Sequence, residues 1–308
     1  TLGSQQPCTE GQQAKPRFAS SFFNQQRVGY FGSKHLQSPT DAHQRASAAL
    51  EPLGLIVPGG IVSTTGVAGF ALGGGFGWLT RSAGYTAERI TAATIVTADG
   101  SIRTVDAEIE PDLFWAIRGA GANMGIVTSF DFEVDPIGKV GWAQLALDAT
   151  DIAGFLQTWG NWIEHSPRDT TSFMIIGQQR GARQVFAWVL AVIDSDDTDT
   201  IVSRLQPLAD VAQVVQQRIS VTTYAEVMAN ASDHYHDGQG EPAVRSGLLA
   251  QITPEFASEA EALIRGGGSY FFQIRSMGGA VADVPPDATA FPNRHANFSV
   301  VAFGPSRR

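Results

Sequence analysis

A single cysteine, Cys8, occurs in the 308 residues. No internal disulfide and no cysteine-based zinc site can form from it. That composition suits a reducing compartment and predicts a cytoplasmic chain. Basic residues are also scarce: 21 Lys and Arg stand against 30 Asp and Glu, a formal net charge of −9. Without a basic patch or run, neither a nucleic-acid partner nor an anionic membrane surface is expected. No stretch of about 18 apolar residues exists to cross a membrane as a helix. The N-terminal "TLGSQQPCTEGQQAKPR" has no apolar core and is not a signal peptide. The G-x-S-x-G elbow and the H-E-x-x-H motif are missing too, which removes serine-hydrolase and zinc-protease readings.

Glycine, by contrast, is abundant. "GGIVSTTGVAGFALGGGFGW" (59–78) holds eight glycines in twenty positions and no charged side chain. Glycine is kept where backbone must take φ > 0 or come very close to something else. No lysine follows in P-loop spacing, and Gly73-Gly74-Gly75 does not open a helix in the Rossmann manner. Exposed N–H groups beside the hydroxyls of Ser63, Thr64 and Thr65 suit a large, flat or anionic cofactor gripped by main chain. A set of tight turns under a sheet explains the spacing equally well. A second glycine-rich crossing, "RGAGANMGIVT" (118–128), suggests that both line one crevice.

With 43% hydrophobic and 17% charged residues, the chain is an ordinary globular protein, long enough for two domains. Residues 1–41 are polar, weakly periodic and set apart from the rest. A helix is expected from about 42 to the turn at Gly54. Asp99-Gly100 between two β-rich runs predicts a hairpin over 90–107. Pro111 and Asp112 open a helix that stops at Gly119. Residues 125–134 alternate as a strand, with Ile126, Thr128, Phe130 and Phe132 on one side. An amphipathic helix is expected over 152–165. Strands follow at "TSFMIIGQQ" and "RQVFAWVLAVI", helix over 201–230, and strands at "GGSYFFQIRSMGG" and "NFSVVAF". Strand-rich and helix-rich blocks without regular βαβ spacing predict an α+β fold.

Two acidic or histidine-bearing clusters point to nothing specific. His234 and His236 lack a third metal ligand, so a solvated loop is expected and no metal is assigned. "DSDDTD" (194–199) lacks the glycine and distal glutamate of a calcium loop and reads as a solvated turn.

The segment 57–134 resembles the second half of the FAD-binding domain of berberine-bridge-enzyme-like FAD-linked oxidases, within the vanillyl-alcohol-oxidase (PCMH-type) superfamily. The resemblance rests on P-G-G, T-G-V-x-G, the triple glycine, T-A-D-G, D-L-F-W-A-x-R-G and G-x-N-x-G-I-V-T, in that order. "GGAVADVPPDATAFPNRHANFSV" (278–300) is similar to the family's substrate-domain segment with its F-P-H-R signature.

The resemblance implies a PCMH-type FAD-binding domain over 42–136, represented mainly by its second subdomain. A substrate domain follows over 137–308, with an antiparallel sheet backed by helices. It implies hydride transfer from a small-molecule substrate to FAD, with molecular oxygen as acceptor. The residues implied to line the flavin are Pro58, Gly59, Gly60, Ser63, Thr64, Thr65, Gly66, Gly69, Gly73, Gly74, Gly75, Gly125, Ile126 and Val127. Phe76, Trp78, Gln273 and Arg275 are candidates near the ring; the last two share one face of a strand.

There are departures from the pattern. Val62 stands where many members carry the flavin-linking cysteine, so FAD would be held non-covalently. Phe76 replaces an active-site tyrosine, and Asn293 the signature histidine. The pyrophosphate-binding first subdomain and a C-terminal N-Y segment find no counterpart, so a chain shortened at both ends and weak in FAD binding is expected. A cofactor-free remnant acting as a binding or scaffold protein is the alternative.

Overall fold

The Asp99-Gly100 hairpin sets the first of two large antiparallel sheets. Gly100 takes φ +80°, and the Asp99 carboxylate accepts from the Thr97 hydroxyl and the Ser101 amide at 2.5 and 3.0 Å. Those bonds hold its pKa below the usual carboxylate range. The computed structural model describes residues 17–19, 46–47, 49–62, 65–177, 184–229 and 243–305.

In its first part the elements are β1 (Arg17–Ala19), β2 (Leu55–Ile56), α1 (Val67–Leu72), α2 (Thr80–Ala83), β3 (Ile90–Val96), β4 (Ile102–Asp106), α3 (Pro111–Ile117), β5 (Ile126–Glu133) and β6 (Asp135–Pro136). The second part has β7 (Val140–Asp148), α4 (Ile152–His165), β8 (Thr170–Gly177), β9 (Phe186–Ile193), α5 (Thr198–Leu205), β10 (Val214–Thr222), α6 (Tyr224–Ala229), β11 (Ala243–Leu249), α7 (Pro254–Arg265), β12 (Phe271–Ser276) and β13 (Phe298–Gly304). The first sheet runs β1-β5-β3-β4, the second β10-β7-β9-β8-β12-β13-β11, and β2 pairs with β6. Mixed helix with a large antiparallel sheet is the expected α+β class.

Helix boundaries follow local chemistry. Asp151 caps α4 by accepting from the Gly154 amide, and Thr253 caps α7 by accepting from Phe256. Pro111 and Pro254 occupy first-turn positions where their missing N–H is harmless. Within "DSDDTD", Asp197 caps α5 by accepting from the Thr200 amide at 2.8 Å. Among the described residues no group of three metal-ligating side chains gathers, and no helix is long and apolar enough to cross a membrane.

The sheets have different partners. One face of the seven-stranded sheet (Leu145, Leu147, Met174, Phe272, Phe298) is covered by Trp159 and Leu156 of α4 and Ala257 of α7. On the opposite face Trp142 and Phe173 meet Trp78 and Leu79 from the first part. β3, β5 and α3 enclose a separate core around Ile95, Phe114 and Phe132.

Four elements depart from the sequence expectations. Residues 201–230 are not one helical region: α5 gives way to a 3-10 turn, then to β10, then to α6. The β-branched run of "VVQQRISVTT" pairs with β7 from Gln216↔Ala146 to Thr222↔Val140 and overrides the helical reading. β11 pairs along the whole of β13, from Ala243↔Gly304 to Leu249↔Phe298, although its sequence announced no strand. A register shift between Thr94 and Ile95 inverts the alternation within β5. Val127 therefore packs inward with Ile95, and Ile126 is 69% exposed. Finally, Arg17–Ala19 pairs with Glu133, Phe132 and Asp131, so part of the segment set apart at the N-terminus joins the first sheet. Cys8, His234 and His236 lie outside the described residues.

The two parts are locked by Arg81 of α2, which is 5% exposed. Its Nε, Nη1 and Nη2 donate to the carbonyls of Thr170, Met277 and Ser166 at 2.7, 2.8 and 2.8 Å. Burial lowers its pKa, opposed by the charge of Asp169. Charge-assisted bonds of this kind contribute more than neutral ones, and deleting the donor strands three acceptors. Arg81→Met is expected to lower the unfolding free energy by about 3–5 kcal/mol, with Arg81→Lys recovering less than half. Urea unfolding at pH 7 measures this; a loss within about 1 kcal/mol would show that the clamp does not hold the parts together.

Candidate functional site

The glycine-rich strip lies where the two parts meet, and much of it is backbone against backbone. A Cβ on Gly77 would strike the Gly59 carbonyl oxygen and approach Gly60 Cα at 2.9 Å. Gly75 (φ +75°) lies under Phe70 and Thr86, where a Cβ would meet atoms at 2.8 and 2.9 Å. Gly74 (φ +104°) is covered by the Phe291 ring at 3.0 Å. Gly125 (φ +147°) would drive a side chain into the Val96 carbonyl. These glycines are required by packing and by left-handed backbone.

Gly66 and Gly69 differ. A Cβ on either meets nothing within 4 Å. They flank the start of α1, whose outer positions Ala68 and Gly69 are exposed. The strip thus divides into an interior set of glycines and an open set. Ser63 and Thr64 lie outside the described residues; Thr65 and Gly66 are half-buried beside the open positions. Gly73 makes ordinary contact with the Gly69 carbonyl at 3.4 Å, and a Cβ on Gly60 would meet Phe70 at 3.1 Å.

Tertiary hydrogen bonds fix the strip. The Pro58 carbonyl accepts from the Thr86 hydroxyl at 2.5 Å, and the Gly74 and Gly75 carbonyls accept from Ala87 and Thr86 amides, both at 2.9 Å. Tyr224 of α6, fully buried at the seam, donates its hydroxyl to the Gly59 and Gly60 carbonyls at 3.3 and 3.4 Å. Burial raises the pKa of that hydroxyl, so it stays a donor at any physiological pH.

Of the candidates named from the sequence, Phe76, Gln273 and Arg275 lie close together. Arg275 Nε donates to Gln273 Oε1 at 2.6 Å, and the guanidinium lies 5.6 Å from the Phe76 ring and 5.9 Å from Phe173. Burial lowers the Arg275 pKa to about 10, which leaves it cationic at neutral pH. Trp78 is sealed instead: it stacks on Phe173 at 4.3 Å and meets Trp142 edge-on at 5.0 Å. Ile126 and Val127 sit at the far end of the first sheet, the former outward and the latter in the core.

The 287–294 segment rivets the site. Phe291 stacks edge-on with Tyr85 at 4.9 Å, Arg294 pairs with Glu88 and Thr289, and Trp115 Nε1 donates to the Asp287 carbonyl at 2.7 Å. Arg81, Tyr224 and Phe173 have no sequence signal of their own. A lone arginine in "LTRSAGY" does not announce that its acceptors lie 85 to 196 residues away.

Gly77→Ala is expected to lose about 3 kcal/mol or more of stability, whereas Gly69→Ala, in a helix with open space, is expected to gain up to about 1 kcal/mol. Thermal unfolding of the two variants checks the division; equal effects would contradict it.

The comparisons with known proteins agree with this geometry. Residues 43–106 match the FAD binding domain family, for which FAD is the cofactor. The chain is 27% identical over 263 residues to an uncharacterized FAD-linked oxidoreductase, YgaK, of Bacillus subtilis, covering 79% of this chain and 55% of that protein. Its fold is similar to a chitooligosaccharide oxidase, with TM-score 0.75, 21% identity, and coverage of 86% and 59% of the two chains. It is also similar to berberine bridge enzyme from Eschscholzia californica, with TM-score 0.69, 22% identity, and coverage of 87% and 56%. The chain thus spans little more than half the length of these relatives. It carries a match to the FAD binding domain over residues 43–106, is similar in sequence to FAD-linked oxidoreductases, and has a fold like that of the berberine-bridge-type oxidases.

Proposed function

We propose that this chain forms part of an FAD-dependent oxidase acting on a small organic substrate, with molecular oxygen as the final acceptor. FAD, when bound, supplies the hydride-accepting centre. The observation that carries the reading is the pair of open glycines, Gly66 and Gly69, on a strip whose Phe76 ring lies 5.6 Å from the cationic Arg275 guanidinium. Bare backbone with room above it fits a flat cofactor. Pro58, Gly59 and Gly60 would form the strip's floor, with Tyr224 holding its carbonyls turned away from the ligand side. Thr65 and the backbone of Gly66 and Gly69 would line the cofactor. Val62 offers no sulfur, so attachment there is non-covalent. Phe76 and Phe173 would exclude water on either side of Arg275.

The cofactor-free scaffold reading accounts for Gly74, Gly75 and Gly125, whose side-chain space is filled by protein. It leaves unexplained the space above Gly66 and Gly69 and a half-buried cation with no counter-charge.

FAD titration followed by absorbance and by quenching of flavin fluorescence tests the reading. The protein is expected to bind FAD that acid releases, and Gly69→Leu is expected to fold normally and weaken binding at least about tenfold. Failure of the parent chain to retain any flavin, or unchanged affinity in folded Gly69→Leu, would refute the proposed site.

A further inference from the structure

Arg275 has an unusual environment for this molecule. Every other arginine among the described residues that is not surface-exposed finds an anion or a backbone carbonyl. Arg81 has three carbonyls, Arg89 lies against Glu133 and Asp135, Arg204 pairs with Asp169, Arg294 with Glu88, and Arg118 donates to the Ala288 carbonyl. Arg275 has only Gln273 Oε1 and two aromatic rings. Arg275 is half-buried, and a partly desolvated charge without a counter-ion is costly and is kept where something else requires it.

The hydrogen-bonding inventory shows what is required. Gln273 is 5% exposed. Its Oε1 accepts from Arg275 Nε, and its amide Nε2 has no partner among the described residues. Nη1 and Nη2 of Arg275 are likewise unbonded. Neither Nε2 nor these two nitrogens is among the sealed orphan atoms of the structure, so a small ligand can reach them. Three unbonded donor groups, Nε2, Nη1 and Nη2, thus stand against one remaining lone pair on Oε1.

Position limits the ligand further. Register places Arg275 between Phe173 of β8 and Ser299 of β13, and Gln273 between Ile175 and Val301. All lie on the sheet face opposite α4 and α7, where Trp188, across from Ile175, is 48% exposed. The donors are thus set in an apolar, aromatic surround. A planar two-oxygen acceptor on an organic body matches a guanidinium fork beside an amide better than a fully hydrated anion does.

We propose that Arg275 and Gln273 form a recognition pair for the carboxylate of a small organic acid bound on this open sheet face. Calling that acid the substrate rests on the oxidase reading above; its binding does not.

Isothermal titration of the full chain with phenylacetate, neutral phenylacetamide and inorganic phosphate tests the pair at pH 7. Phenylacetate is expected to bind at least about tenfold more tightly than either of the others. Arg275→Met is expected to erase that preference while leaving the melting temperature unchanged or higher, since a half-buried charge with no counter-ion is removed. A merely structural arginine would lower the melting temperature and leave the preference intact, which overturns the proposal. Arg275→Lys, which keeps charge but loses the fork, is expected to weaken phenylacetate binding several-fold; full retention also overturns it. Equal affinity for acid and amide, or phosphate binding as tightly as phenylacetate, overturns it as well. FAD retention measured on the same samples separates the two readings. Flavin bound without acid preference sinks the pair alone, and acid preference without flavin sinks the oxidase reading alone.

Discussion

The structure depends on one cation reaching across a seam. Arg81 belongs to a single turn of helix in the first part, yet all three of its recorded acceptors belong to the second. Thr170 begins β8, Ser166 ends α4, and Met277 follows β12, so one side chain fixes three separate elements. The Gly278-Gly279 turn is shaped around it: both residues take positive φ, and a Cβ on Gly279 would strike the Arg81 carbonyl. Displacing α2 would therefore displace β12 and the pair it carries. Guanidinium geometry makes this possible, because a fork of fixed donors can satisfy carbonyls that an ammonium could not reach together.

Against that fixed seam, the glycine-rich strip has two roles that composition alone merges. Gly77 lets one run of main chain lie on another, and Gly74 and Gly75 let aromatic rings rest directly on backbone. Those contacts would be needed in any protein with this packing. Gly66 and Gly69 face open space and are not required by packing. A dense glycine run is thus evidence of close approach, while the identity of what approaches is decided residue by residue.

Local chemistry was legible in the sequence. The Asp99-Gly100 hairpin, the proline-opened α3, the amphipathic α4 and the strands carrying Gln273 and Arg275 all follow from short-range signals. Their common face follows from the period of a strand. What was not legible depends on distant partners. β10 forms because β7 offers an edge to a β-branched run with polar interruptions, and β11 forms because β13 does. The bulge in β5 reverses the faces of Ile126 and Val127, which no alternation count foresees. At the site, Phe76 and Arg275 were singled out by motif and periodicity. Tyr224 and Phe291 were not, because a carbonyl bond and a ring contact across the seam leave no trace in spacing.

The aromatic stack at the seam has an optical consequence. Trp78 comes from one part of the chain, while Phe173 and Trp142 come from the other, with ring centroids 4.3 and 5.0 Å from the Trp78 indole. Both indoles are shielded from water only while the parts stay together. Their emission colour is therefore an intrinsic gauge of parting at the seam, and it would redden on separation even if each sheet kept its own hydrogen bonds.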